Sequence, residues 1–208
     1  MKSKFYFILI FLVSCVACSK KNTLENPTLI QSLEQVWTAP QTAQKQLQQI
    51  AYDQLNTYEQ HRYALAEAHV QLKLYSTIPP HISTNDLAWY FLAQGDAASA
   101  SEAYYIQGAY LNWLGKNTQA MQYLKEAENL ATTPIIRGMT YYKMGRISES
   151  EQLYDIALEN YHKALPHLIE ADVPLYLASV YRELGRMSDI SSRDSFFYEA
   201  HEQAQVYG

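Results

Sequence analysis

The 208-residue chain repeats itself, and that repetition narrows its possible folds more than any other feature. Tyr104, Gly108, Leu111, Gly115, Ala120, Leu124 and Ala127 stand at offsets 0, 4, 7, 11, 16, 20 and 23. Begun again at Tyr141, the same offsets give Gly145, Ser148, Gln152, Ala157, Tyr161 and Ala164. An aromatic residue, a glycine and two alanines therefore recur in register. Self-similarity of this kind marks stacked units, none of which can bury its apolar face alone. Small residues at offsets 4, 16 and 23 let two antiparallel helices approach closely, and the large residues between them fill the gaps.

The remaining sequence agrees with a helical chain. From Pro27 onward apolar residues recur at spacings of three and four, glycine is sparse, and no sustained two-residue alternation marks a strand. Turn signals stand at Thr38 to Pro40, Ser76 to Pro80, Gly115 to Asn117, Thr132 to Pro134, Gly145-Arg146, Ala171 to Pro174 and Gly185-Arg186. Upstream, Gln31 to Trp37 and Pro40 to Ile50 read as a helix pair. Tyr58 to Leu74 reads as a longer amphipathic helix, and another begins near Asp86 with Thr84 as its N-cap.

The offsets resemble those of the tetratricopeptide repeat, a 34-residue helix pair. The resemblance implies an all-α fold, an antiparallel helix-pair solenoid of right-handed superhelical form with about three to five pairs. Its units would run 101–134, 138–171 and 172–206 within a region 97–208, after degenerate pairs over 28–96. The third unit is eroded. Pro174, Ala178, Tyr181 and Gly185 fit its first helix, whereas Phe197 and Ala200 fit its second only if the turn around Met187 to Arg193 carries extra residues. The chain is also similar to the N-terminal half of exported tetratricopeptide proteins of Gram-negative bacteria, whose longer members continue into a membrane helix and an output domain.

The N-terminus reads as an address. Lys2 and Lys4 precede Phe5 to Cys18, fourteen residues without a charge. That run is too short to cross a bilayer comfortably, which takes about 20 apolar residues, and suits a secretory signal over 1–17. Both cysteines of the chain lie at its end. Leu12-Val13-Ser14-Cys15 resembles the bacterial lipobox, and Cys18, between Ala17 and Ser19, is the second candidate for lipid attachment. The resemblance implies a palmitate-bearing lipoprotein in the cell envelope of a Gram-negative bacterium, anchored at the outer membrane or the periplasmic face of the inner membrane. Residues 18–27 would then be a polar leash. A disulfide between the two cysteines, or an uncleaved anchor, is the competing reading.

Charge and motifs exclude several functions. Sixteen basic side chains against 21 acidic ones give −5, and without Lys2 and Lys4 the balance is 14 against 21, or −7. A nucleic-acid partner, which calls for a basic stripe, is not expected. No serine elbow, P-loop or dinucleotide turn occurs in the sequence, so neither an enzyme nor a cofactor is expected. His162 and His167 are five apart, off the i, i+4 spacing of a helical metal pair, and no metal site is predicted; solvent-exposed or capping roles suit them better. His61 and His69 share only a rough helix side. Glu149, Glu151, Glu159 and Glu170 read as a solvated face.

Eighteen tyrosines are the compositional outlier. Tyr104, Tyr141, Tyr161 and Phe197 occupy packing slots of the repeat. Tyr105 and Tyr142 stand one residue further on, where the resemblance implies a concave groove, and Asn112, Arg146 and Arg182 join them by the same numbering. Tyrosine with arginine is a frequent composition of binding hot spots, and the inner surface of a solenoid is its usual ligand face. The expected function is a lipid-anchored adaptor holding a partner peptide or helix in that groove. The alternatives are the input domain of a truncated or short membrane signalling protein, or an accessory lipoprotein of an outer-membrane assembly or uptake complex.

Overall fold

The computed structural model describes residues 23–207. The expected signal over 1–17, residues 18–22 of the expected leash, and both Cys15 and Cys18 lie outside the described residues. Within them the chain is all-helical, with no strand. The ten α-helices are α1 (Pro27–Gln35), α2 (Pro40–Leu47), α3 (Thr57–Lys73), α4 (Thr84–Ala93), α5 (Ala97–Trp113), α6 (Asn117–Leu130), α7 (Pro134–Ser150), α8 (Tyr154–Glu170), α9 (Pro174–Met187) and α10 (Ile190–Tyr207). Each packs chiefly on its neighbours in sequence, and α3, α5 and α7 also touch one another in that order. This sequential packing is compatible with an all-α solenoid.

Local chemistry explains where the helices begin. Asn26 Oδ1 accepts Leu29 N–H at 2.9 Å ahead of α1, with Pro27 in the first turn, where its missing N–H costs nothing. Asn56 and Glu59 form a reciprocal capping box on α3. Asp96 caps α5 through Ser99 N–H at 3.0 Å. The cap of α4 is Ser83, whose Oγ accepts Asp86 N–H at 3.2 Å. Thr84, the expected cap, is instead buried and donates its hydroxyl to Gln107 on α5. The stretch before α1 is held as well: Glu59 accepts the N–H groups of Glu25 at 2.8 Å and Asn26 at 2.7 Å.

Two expected turns are helix interior. Gly145 and Gly185 lie within α7 and α9, and their lack of a side chain serves packing. A Cβ on Gly145 would stand 2.6 Å from the Tyr161 ring of α8, one on Gly108 would stand 2.8 Å from Leu124 Cγ of α6, and one on Gly185 would stand 2.8 Å from the Phe197 ring. The turn after α7 is made by Gln152, at φ +62°, in the register position that Gly115 fills at φ +73° after α5. The helix pairs begin earlier than the sequence units, at Ala97 and Pro134. No extra residues enter the third turn either. Only Ser188 and Asp189 separate α9 from α10, because Asp189 accepts from Ser192 N–H at 3.1 Å and starts the next helix at once.

Ala120, Ala127, Ala157 and Ala164 are all fully buried, as the small slots of the repeat require, and Tyr161 beside them is equally buried. One apolar cluster runs from Leu65 to Leu184. A second, smaller one joins Leu29, Val36, Ala43 and Leu47 of the α1–α2 region to Leu55, Ala66 and Val70. Trp37, in the α1–α2 turn, touches both.

Candidate functional site

Tyr105 and Tyr142 occupy the same slot of α5 and α7, three residues before Gly108 and Gly145. In α9 that slot is Arg182, whereas Tyr176 stands in the first turn of the helix, and the Tyr105 hydroxyl lies within electrostatic range of those of Tyr142 and Tyr176. Nothing in the repeat offsets places Tyr176 with Tyr105 and Tyr142; it joins them only in the folded stack.

Open access to Tyr105 is not what the fold provides. Its side chain is 1% exposed, and Tyr142 is 8% exposed. The indole of Trp37 lies on Tyr105, with ring centroids 5.5 Å apart, and meets Tyr176 edge-on at 6.1 Å. It also meets His69 edge-on at 4.3 Å. Lys73 Nζ sits 4.2 Å from the centre of the Trp37 ring and 4.6 Å from that of Tyr176. Lys73 donates to the Tyr176 hydroxyl at 2.7 Å, and that hydroxyl donates to the Trp37 carbonyl at 2.8 Å, across 139 residues of sequence. No sequence pattern announces this contact, because it depends on how far the stack of helices brings α9 back toward α1.

Beneath the indole lies a polar pair that sequence reasoning missed. His69 is fully buried, and its Nδ1 stands 2.8 Å from Glu102 Oε1. Burial pushes the His69 imidazole down, against the pull of Glu102. Burial pushes Glu102 up, but the hydrogen bond from His69 and the Arg62 charge outweigh it and hold the carboxyl below its ordinary value. Both directions describe a neutral imidazole donating from Nδ1 to an ionised Glu102, which leaves His69 Nε2 a buried acceptor without a hydrogen-bond partner. Arg62 reaches Glu102 at 3.8 Å and also donates to Ser99, which donates to Asp96; Asp96 in turn accepts from Tyr58 at 2.7 Å.

The cations of this face differ in how they are compensated. Arg146 donates to the Tyr142 hydroxyl at 3.3 Å and lies 3.7 Å from Glu183, while Arg182 reaches the same carboxylate at 3.0 Å. Arg186 pairs with Glu183 at 2.9 Å and with Glu149. The expected groove residues Arg146 and Arg182 therefore converge on one buried carboxylate, each still about half exposed. Lys143, beside Tyr142, makes no such pair among the described residues. Burial lowers its ammonium and that of Lys73, and the nearby positive charges push in the same direction. Asn112 is placed elsewhere: its amide donates to Asn117 at 3.0 Å, and Asn117 reaches Glu151 at 2.6 Å, so it links one hairpin turn to the next.

The acidic residues and histidines also take particular positions. Glu149 is not merely solvated, since Tyr161 donates to it at 2.8 Å. His61 stacks on Tyr90 at 3.5 Å and His167 on Tyr141 at 6.0 Å. Among the described residues no three His, Cys, Asp or Glu side chains gather as a metal site would need, and no helix is long and apolar enough to cross a membrane. Comparison with protein-family models, with curated proteins and with solved structures finds no match for this chain.

Proposed function

We propose that this protein is an interaction module: a tetratricopeptide-like solenoid whose tyrosine face is concave and receives a segment of a partner protein. The observation that carries the reading is the gathering of Tyr105, Tyr142 and Tyr176 from α5, α7 and α9, with Lys73 and Lys143 desolvated among them. Aromatic rings supply contact area at little entropic cost, and a desolvated cation contributes more to an anionic or carbonyl-rich segment than one in open water. The convergent Arg146, Arg182 and Glu183 form a polar rim beside these rings. Lipid attachment at Cys15 or Cys18 would hold the module at the bacterial envelope and raise its effective concentration there.

Site-directed photocrosslinking tests the reading. A benzophenone side chain in place of Lys143 is expected to capture a discrete envelope protein, and one in place of Gln119, exposed on α6, is not. Crosslinks formed only from position 119 would refute it. Palmitate incorporation that persists in a Cys15→Ala, Cys18→Ala double variant would refute the anchor.

A further inference from the structure

Trp37 is held as a ligand is held. Its ring has a cation 4.2 Å from its centre, the perpendicular edges of His69 and Tyr176 against it, and a tilted tyrosine below. Its carbonyl accepts the Tyr176 hydroxyl, which itself accepts from Lys73. These contacts come from α3, α5 and α9, whereas the chain bearing Trp37 is secured independently. The α1–α2 region has its own apolar cluster with Ala66 and Val70, and Glu59 ties the backbone of Glu25 and Asn26. Trp37 is only half-buried, so it can leave without opening the main core. Its departure would uncover Tyr105 and bring water or a new donor to His69 Nε2, which has no partner while the indole stays.

We propose that His69, Lys73, Tyr105 and Tyr176 form an acceptor for a tryptophan side chain and its backbone carbonyl, filled in cis by Trp37. A partner peptide that presents an indole in a turn competes for this acceptor when the α1–α2 turn withdraws. The proposal rests on the interaction role given above and specifies both the partner's chemistry and what regulates access. An intramolecular occupant competes at an effective concentration on the order of millimolar, and the affinity seen by an outside ligand falls by the fraction of open molecules.

The test uses a fluorescent peptide with the sequence of residues 33–41, titrated by anisotropy into the full-length chain. Binding to the Trp37→Ala chain is expected to be about ten- to a hundredfold tighter than to wild type, given that effective concentration. Adding Lys73→Met and Tyr176→Phe to Trp37→Ala is expected to abolish it. If Trp37→Ala does not fold, as judged by circular dichroism, Trp37→Leu keeps apolar mass in the turn and lacks the indole. Equal binding to wild type and variant, no binding to either, or binding insensitive to Lys73 and Tyr176 would overturn the proposal. Dimerisation of wild type that Trp37→Ala abolishes would assign the indole to a second copy and overturn the cis arrangement. Should the photocrosslink at position 143 persist while the peptide binds neither chain, the interaction module stands and the tryptophan acceptor falls. Peptide binding without that crosslink would instead uphold the acceptor and refute the partner contact at Lys143.

Discussion

Replacing Gly145 by alanine tests the packing logic of the repeat directly. The added methyl would lie 2.6 Å from Tyr161 Cε1, 2.7 Å from Cδ1 and 3.2 Å from Cζ. Carbon atoms prefer separations of about 3.5–4.0 Å, so ring or helix must yield by roughly an ångström. The ring has little freedom to move. Tyr161 is fully buried, and its hydroxyl donates to Glu149 at 2.8 Å. Overpacking of this kind costs about 1–3 kcal/mol, and displacing the ring also strains a hydrogen bond to a charged acceptor, a class worth about 1.5–3 kcal/mol. Against these stands a gain of about 1 kcal/mol from alanine's better helix propensity. The net expectation is a loss of about 1–3 kcal/mol, or a fall of roughly 2–12 °C in Tm for a chain of this size. Thermal and urea unfolding followed by far-ultraviolet circular dichroism measure it. Combining the change with Tyr161→Leu should recover about 1 kcal/mol relative to the sum of the single effects, since the two residues share one space. An unchanged or raised midpoint for Gly145→Ala alone would refute the close-approach argument and, with it, the meaning given to the small residues at Gly108 and Ala157.

Three further expectations follow from the polar contacts and the turns. Burial pushes the Glu59 carboxyl up, but three backbone N–H donors outweigh it and hold it below its ordinary value. Its contribution is thus complete above the unfolded-state value near pH 4.3 and lost as pH falls through the depressed folded value; acidification should speed hydrogen exchange at Glu25, Asn26 and Asn56, and Glu59→Gln should cost about 1–2 kcal/mol. Glu183 is 6% exposed and each arginine around it about half exposed, so Arg182→Ala should cost no more than about 0.5 kcal/mol. Glu183→Ala, which removes the common acceptor, should cost about 1–2 kcal/mol in urea unfolding. Gly115→Ala should lower stability by about 1 kcal/mol although no atom lies within 4 Å of the added methyl, because φ is +73° there; a neutral result would contradict a purely backbone origin.

The helical class, the close-packed slots at Gly108, Ala120, Ala127, Ala157 and Ala164, and the packing role of Tyr161 were legible in the sequence. Each follows from local periodicity, and a helix pair joined by a short turn is a local object. Boundaries were less legible. Gly145 signals a turn and a packing slot equally well, and only the left-handed backbone of Gln152 shows which role it has. Ser83 rather than Thr84 caps α4 for a similar reason, since Thr84 is drawn off to Gln107 on the next helix.

The tyrosine face separates the two kinds of information most sharply. Sequence alone placed Tyr105, Tyr142, Arg146 and Arg182 in related register positions, because equivalent residues of equivalent helices share a direction. Only the tertiary structure decided that Arg146 and Arg182 meet on Glu183, that His69 pairs with Glu102, and that Trp37 covers Tyr105 and reaches Tyr176. Those contacts join residues between one and 139 positions apart, set by the pitch at which helices stack. Periodicity specifies which side chains face the same way; the accumulated geometry of the whole stack determines which of them touch.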